Sequence, residues 1–367
     1  MQCIYFPPEV GGLESHVYYL CRGLVGLGHE VTMVTSRSKP GLPALETMEG
    51  IRVVRTWFAG RNAAGWTAHT VGSIPAFLHA SAGAHVLHAH TFASALPAMI
   101  AARRRGTPFV LTLHTSHFLR LATRPSWRLV LRRIIRSADW VLAASEEIRD
   151  VALRLVPRQR VEALTNGVDT ELFRSVPPAL PRRNGGYRII VPRRLFEKNG
   201  VEYLIRAMPR MRESMDVEAV IVGDGPLRSR LETLAVDLGV AGAVQFLGAR
   251  PNAEMPAILS SGDVIVVPSL MEATSVAALE AMSCGRPVAA SRVGGLPEIV
   301  DEDVGVLFEP ADPASLAEHV VALLVRPERV EMGVRARRRV VERWSLQRLV
   351  RRHLEIYEQL MRERKAA

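Results

Sequence analysis

At 367 residues and 48% hydrophobic content, the chain exceeds one ordinary domain and is apolar enough for two cores of about 150 to 180 residues each. Its three cysteines, Cys3, Cys21 and Cys284, form no C-x-x-C pair, which excludes a disulfide framework or cysteine zinc site and favours a reducing compartment. The formal charge of +10 is uneven, because no Asp or Glu occurs between Ile51 and Ala138 while arginines recur throughout that span.

The opening MQCIYFPPEV lacks the basic start and unbroken apolar stretch of a secretion signal, which predicts a cytoplasmic protein. FPPEVGGLESH (6–16) sets Gly11 and Gly12 before a predicted helix, where bare backbone admits a ligand. Short β-branched runs then alternate with helical stretches: HEVTMVTS (29–36), IRVVR (51–55), AHVLHAH (84–90), PFVLTLH (108–114), DWVLAAS (139–145) and RVEALTNG (160–167). That rhythm predicts a parallel sheet. The acid-free stretch 62–102 is broken by Pro75, Gly83, Pro97 and five histidines, so it reads as strands and helices rather than a membrane span.

His114 ends the strand at 108–114, and its ring is expected to project from the carboxyl edge, able to donate to or accept from a sugar hydroxyl. His88 and His90 end the neighbouring strand. With no acidic residue nearby to complete a usual ligand set, these histidines predict no metal. In SWRLVLRRIIRSA (126–138), Trp127, Val130, Leu131, Ile134, Ile135 and Ala138 recur at helical spacing, with Arg128, Arg132, Arg133 and Arg136 elsewhere. This is either a core helix with a solvated basic side or one that faces an anionic membrane or acidic acceptor. No stacking platform accompanies these arginines along the chain, so nucleic acid is not an expected partner.

SVPPALPRRNGG (175–186) is the predicted linker between a first domain at 1–174 and a second at 187–345, in which strands resume with YRIIVPRRL, VEAVIVG, AVQFLG, DVIVVPS, RPVAAS and GVLFEP. Two such domains turn their strand ends toward a shared cleft. PRRLFEKNG (192–200) places Arg194 and Lys198 after the first of these strands, as a fork and a point charge for two phosphates. Lys198 stands out because the only other lysines are Lys39 and Lys365. VIVGDGPL (220–227) sets Gly223 in a tight strand-to-helix turn that lacks the third glycine of a dinucleotide fingerprint.

In PSLMEATSVAALEAMSCGRPVAAS (268–291), Glu272 lies in the loop and Glu280 stands eight positions on, two turns into a helix. A carboxylate there can accept two hydrogen bonds from a vicinal diol, while N–H groups from Ala273 to Val276 suit a diphosphate. Asp301-Glu302-Asp303 reads as a solvated turn. A last helix, in 346–367, is expected to cross back onto the first domain.

Together these segments resemble the retaining nucleotide-sugar glycosyltransferases of glycosyltransferase family 4 over nearly the whole chain, the Glu-x7-Glu element with E-A-M-x-x-G-x-P-V being the most specific mark. The resemblance implies the GT-B fold, an α/β architecture of two Rossmann-like parallel-sheet domains facing a central cleft. It implies a nucleotide-sugar donor on the second domain, a glycan or lipid-linked acceptor on the first, no cofactor and no metal, with action in the cytoplasm or peripherally on the inner face of the membrane. Carried over by motif, Glu280 binds ribose hydroxyls, Glu272 binds the donor sugar, Arg194 and Lys198 bind the diphosphate, Gly12 beside Gly11 faces it, and His114 contacts the transferred sugar. Where the family often has glycines after Glu272, this chain has Ala273, Thr274 and Ser275, so Thr274 and Ser275 are expected to supply hydroxyl contacts beside Val276. A nucleotide-sugar epimerase or phosphorylase and a non-catalytic sugar-binding protein share the architecture but explain the two glutamates and the glycine pair less well, and a dehydrogenase would need a complete G-x-G-x-x-G.

Overall fold

The computed structural model describes every residue except Val10, Thr115, 182–184 and Ala367, and the side chain of Ser116 is also outside the description. Part of the expected linker and one position of the 6–16 segment thus lie outside the described residues. The chain forms two compact units, Met1–Asn166 with Leu346–Ala367, and Gly167–Ser345. The division precedes the expected linker, because Val168 and Phe173 bury their side chains in the second unit's core. Residues 167–174 are therefore corrected from the first domain to the second.

In the first unit, β1 (Thr32–Ser36), β2 (Leu45–Met48) and β3 (Ile51–Thr56) lie in the order β1-β3-β2, and β4 (Leu87–His90), β5 (Phe109–Leu113), β6 (Trp140–Ala143) and β7 (Val161–Ala163) follow one another. Gln2 joins the two groups by pairing in parallel with both Val34 and Ala89, so the start of the chain lies mid-sheet. Only β2 runs antiparallel. The helix Gly12–Gly26 packs on the helix Leu346–Ala366, where a Cβ on Gly23 would run into Val350.

In the second unit, β8 (Tyr187–Pro192), β9 (Val217–Val222), β10 (Val244–Gly248), β11 (Val264–Val267), β12 (Val288–Ser291) and β13 (Gly305–Phe308) form one parallel sheet in the order β10-β9-β8-β11-β12-β13. This is the doubly wound order, and it reverses between β8 and β11. Both faces are covered, as parallel strands require. Ile189, Val191, Ala219, Ile221, Val264 and Val266 point into one core, while Ile190, Val220, Val222, Ile265 and Val267 point into the other. The point of reversal opens at the strand ends that carry Arg193 to Lys198 and Ser269 to Glu272.

Candidate active site

Four loops at the carboxyl ends of β8, β9, β11 and β12 interlock. After β8 the chain turns through Glu197–Asn199 to Gly200, whose φ of +65° leads into the helix Val201–Ser214 and where a Cβ would collide with the Pro268 carbonyl. The Lys198 carbonyl accepts from the Leu270 N–H at 2.8 Å and the Met271 N–H at 3.3 Å, joining the first loop to the third. Gly223 follows β9 at φ +147° because its backbone abuts the Arg193 carbonyl. Gly294, beyond β12 at φ +52°, lies against the Glu272 carbonyl in the same way. Only glycine combines these angles with such close approach.

Within this frame the Arg193 guanidinium donates to both Glu272 and Ser269, and Ser269 Oγ lies 3.2 Å from Glu272 Oε2. The two charged side chains are 10% and 18% exposed, so the pair is largely withdrawn from water yet open on one side. A carboxylate held in this manner keeps a second oxygen for a sugar hydroxyl. Glu280, on the helix Val276–Ser283, is different. It is partly buried, makes no hydrogen bond among the described residues, and burial pushes its carboxyl up to about 8. Two hydroxyl donors would favour its charged form. Ser275 caps that helix by accepting from the Ala278 N–H at 3.3 Å, and Thr274 Oγ1 is buried with no partner. Val276 opens the helix and is half-buried.

In the first unit, Gly11 is extended at φ 172°, and Gly12 starts its helix without a side-chain cap, leaving first-turn N–H groups bare. His114 is only 7% exposed. Its Nε2 is 3.1 Å from His90 Nδ1, and its ring centroid is 4.7 Å from that of His16. Burial pushes His114 down to about 3 and holds His16 and His90 well below the ordinary histidine range, so all three are neutral at pH 7. One ring nitrogen from each lies within 4.8 Å of the others, a set able to hold a soft or borderline cation. His88 is occupied structurally, bonded to the Tyr357 hydroxyl at 2.6 Å and Thr112 Oγ1 at 2.7 Å.

Residues 10–172 match the family model for Glycosyltransferase Family 4, and residues 186–326 match that for Glycosyl transferases group 1. The chain is 31% identical, over 93% of both chains, to a GDP-mannose-dependent alpha-(1-6)-phosphatidylinositol monomannoside mannosyltransferase of Mycolicibacterium smegmatis. The chain belongs to glycosyltransferase family 4. A further relative is a phosphatidylinositol N-acetylglucosaminyltransferase of Arabidopsis thaliana, 30% identical over 88% of this chain and 74% of that protein. Among solved structures, sucrose-phosphate synthase from Thermosynechococcus elongatus superposes with a TM-score of 0.85 at 23% identity, covering 98% of this chain and 96% of that one. Anabaena HepE in complex with UDP-glucose gives 0.78 at 19% identity, covering 98% and 100%. These likenesses establish the GT-B fold. The protein is thus a group 1 glycosyltransferase, a class that draws its sugar from a nucleotide-sugar donor.

In this glycosyltransferase the predicted residues fall in two groups. Lys198, Gly223, Glu272, Thr274, Ser275, Val276 and Glu280 gather at the strand ends of the second unit, whereas Gly11, Gly12 and His114 stand in the first. Arg194 is exposed and lies over the Phe196 ring at 5.7 Å, so the guanidinium that meets Glu272 belongs to Arg193. The sequence announces an arginine at this strand end, and the turn that bonds the Arg193 N–H to the Val191 carbonyl at 2.9 Å decides which one points inward. Sequence reasoning also missed Ser269, Gly294 and His16. His114 is enclosed rather than projecting, because the helix Gly12–Gly26 brings His16 over it.

Proposed function

We propose that this enzyme transfers a sugar from a nucleotide-sugar donor to a hydroxyl of a glycan or lipid-linked acceptor, with retention of anomeric configuration and without a metal. The observation that carries this reading is the Arg193–Glu272–Ser269 cluster at the sheet reversal, beside two polar groups left without partners, Glu280 and Thr274. Glu280 takes the two ribose hydroxyls, and Glu272, held by Arg193, takes a hydroxyl of the donor sugar. Lys198, Arg194 and the N–H groups leading into Val276–Ser283 receive the diphosphate. The bond from the sugar's anomeric carbon to the phosphate oxygen breaks with its electron pair on that oxygen. The acceptor oxygen bonds to the same face, and its proton passes to the departing phosphate. Stabilising that anion is the largest task the protein performs. Gly11, Gly12 and His114 are the first unit's contribution to the site.

We place the reaction at an anionic membrane surface on its inner side. On the helix Pro125–Arg136, Trp127, Leu129 and Val130 are 37%, 73% and 45% exposed, among Arg124, Arg128, Arg133 and Arg136. The expected apolar face is thus only partly used for packing, by Leu131 and Ile135. No helix among the described residues is long and apolar enough to cross a membrane. Thermal denaturation with a panel of UDP- and GDP-sugars, each with and without EDTA, tests the donor assignment. Stabilisation by a nucleotide sugar that survives EDTA supports it, and a metal-dependent shift contradicts it. Sedimentation with phosphatidylglycerol and phosphatidylcholine vesicles at low and high salt tests the membrane assignment, and equal or absent binding to the two contradicts it.

A further inference from the structure

Five ring side chains from four separate segments of the first unit touch in series. Trp66 donates from Nε1 to the Tyr5 hydroxyl at 2.8 Å, and its ring centroid is 6.3 Å from that of His117. His117 stacks on Phe92 at 5.8 Å and 19°, and Phe92 meets Trp127 edge-on at 6.3 Å. Tyr5, Trp66, Phe92 and His117 are each partly exposed, and Trp127 is 37% exposed. Phe92 is two residues past the end of β4, and His117 is three past His114, so the band begins at the strand ends that carry the first unit's histidines. A packing explanation would close such rings into the core, where Phe109 and Phe118 are fully buried.

The charge beside the band has one sign. Arg120 donates to His117 Nδ1 at 2.7 Å, and neither Arg120 nor Arg124 has an acidic partner among the described residues. No carboxylate occurs anywhere from Ile51 to Ala138 to supply one. Flat aromatic faces suit the C–H side of a saturated ring, and unpaired guanidiniums suit phosphate oxygens.

We propose that this band is the acceptor subsite, where the ring of a phosphorylated cyclic polyol lies on Phe92, Trp66 and Trp127 and its phosphate meets Arg120 and Arg124. The assignment rests on the reading of the chain as a glycosyltransferase whose first unit receives the acceptor, and it adds the chemical class of that acceptor. The rings are far apart in sequence, which is why no platform is visible along the chain.

The test is saturation-transfer NMR on the full chain with inositol 1-phosphate, inositol and inorganic phosphate as probes, since inositol has no anomeric carbon and cannot serve as a donor. Transfer to the ring C–H protons of inositol 1-phosphate is expected. Phe92→Ala and the exposed-site variant Trp127→Ala should each weaken binding about tenfold, and Arg120→Gln should weaken inositol 1-phosphate about tenfold while leaving inositol unchanged. Equal binding of the phosphorylated and plain polyols, or wild-type binding by Trp127→Ala, overturns the proposal. Stabilisation by UDP or GDP is read on every protein: it should be unchanged in these variants, and its absence from the wild type would refute the donor assignment alone. Phosphatidylinositol in phosphatidylcholine vesicles competing more strongly than the free headgroup identifies a lipid source, and equal competition identifies a soluble one.

Discussion

Replacing Glu280 with Gln should strengthen the empty protein and weaken its complex, a combination few other sites would give. Burial raises the carboxyl from 4.5 to about 8, so the folded chain holds a proton that the unfolded chain has released. The resulting penalty is absent below pH 4.5 and grows as pH rises toward 8. At pH 7 it amounts to about 3 kcal/mol, taking 1.36 kcal/mol per pH unit. Glu280→Gln removes it, which for a unit of this size raises the melting temperature by roughly 6 to 12 °C at pH 7 and by much less at pH 5. The same change deletes a charged acceptor of two ribose hydroxyls and should weaken nucleoside diphosphate binding about 10- to 100-fold. Calorimetric melts at pH 5 and pH 7, with and without UDP or GDP, measure both effects. A variant no more stable than wild type at pH 7, or one that binds the nucleotide equally well, refutes the argument.

Lys198→Ala should lower turnover by roughly 10² to 10³, the usual cost of one electrostatic group on a developing anion, and near wild-type activity would remove it from the site. Gly294→Ala should cost more than about 2 kcal/mol and abolish nucleotide stabilisation, because its Cβ has no room beside the Glu272 carbonyl and φ is +52°; urea titration measures the first and thermal shift the second. Acid should loosen the first unit. Burial depresses His16, His88, His90, His114 and His353 below 6.5, so their contribution is complete above that pH and is lost as pH falls, at about 1.4 kcal/mol per pH unit for each ring still neutral. Hydrogen exchange at pH 7 and pH 5 should show the helix Leu346–Ala366 losing protection first, through His353 and Tyr357; equal protection at both values contradicts this.

Strand rhythm and glycine placement made the two parallel-sheet units legible, since apolar runs such as YRIIVP must be covered on both faces wherever they lie. The boundary was not legible, because the pattern of the Pro-rich stretch says nothing of which core Val168 and Phe173 will enter. The positions of Glu272 and Glu280 followed from their spacing around one helix start. The choice of Arg193 over Arg194 depended on a backbone turn, and the aromatic band on contacts among distant segments. The helix at 125–136 was foreseen as amphipathic, yet Trp127 and Val130 lie outside the packed face because only Leu131 and Ile135 find partners beneath it.

The central claim is retention at a donor site built around Arg193, Glu272 and Glu280. Proton NMR of the anomeric signal during turnover of an α-configured nucleotide sugar tests it most directly. The account predicts that the first product carries the small coupling of an α linkage and that Glu272→Ala forms it far more slowly. A β product, or wild-type turnover by Glu272→Ala, would contradict it.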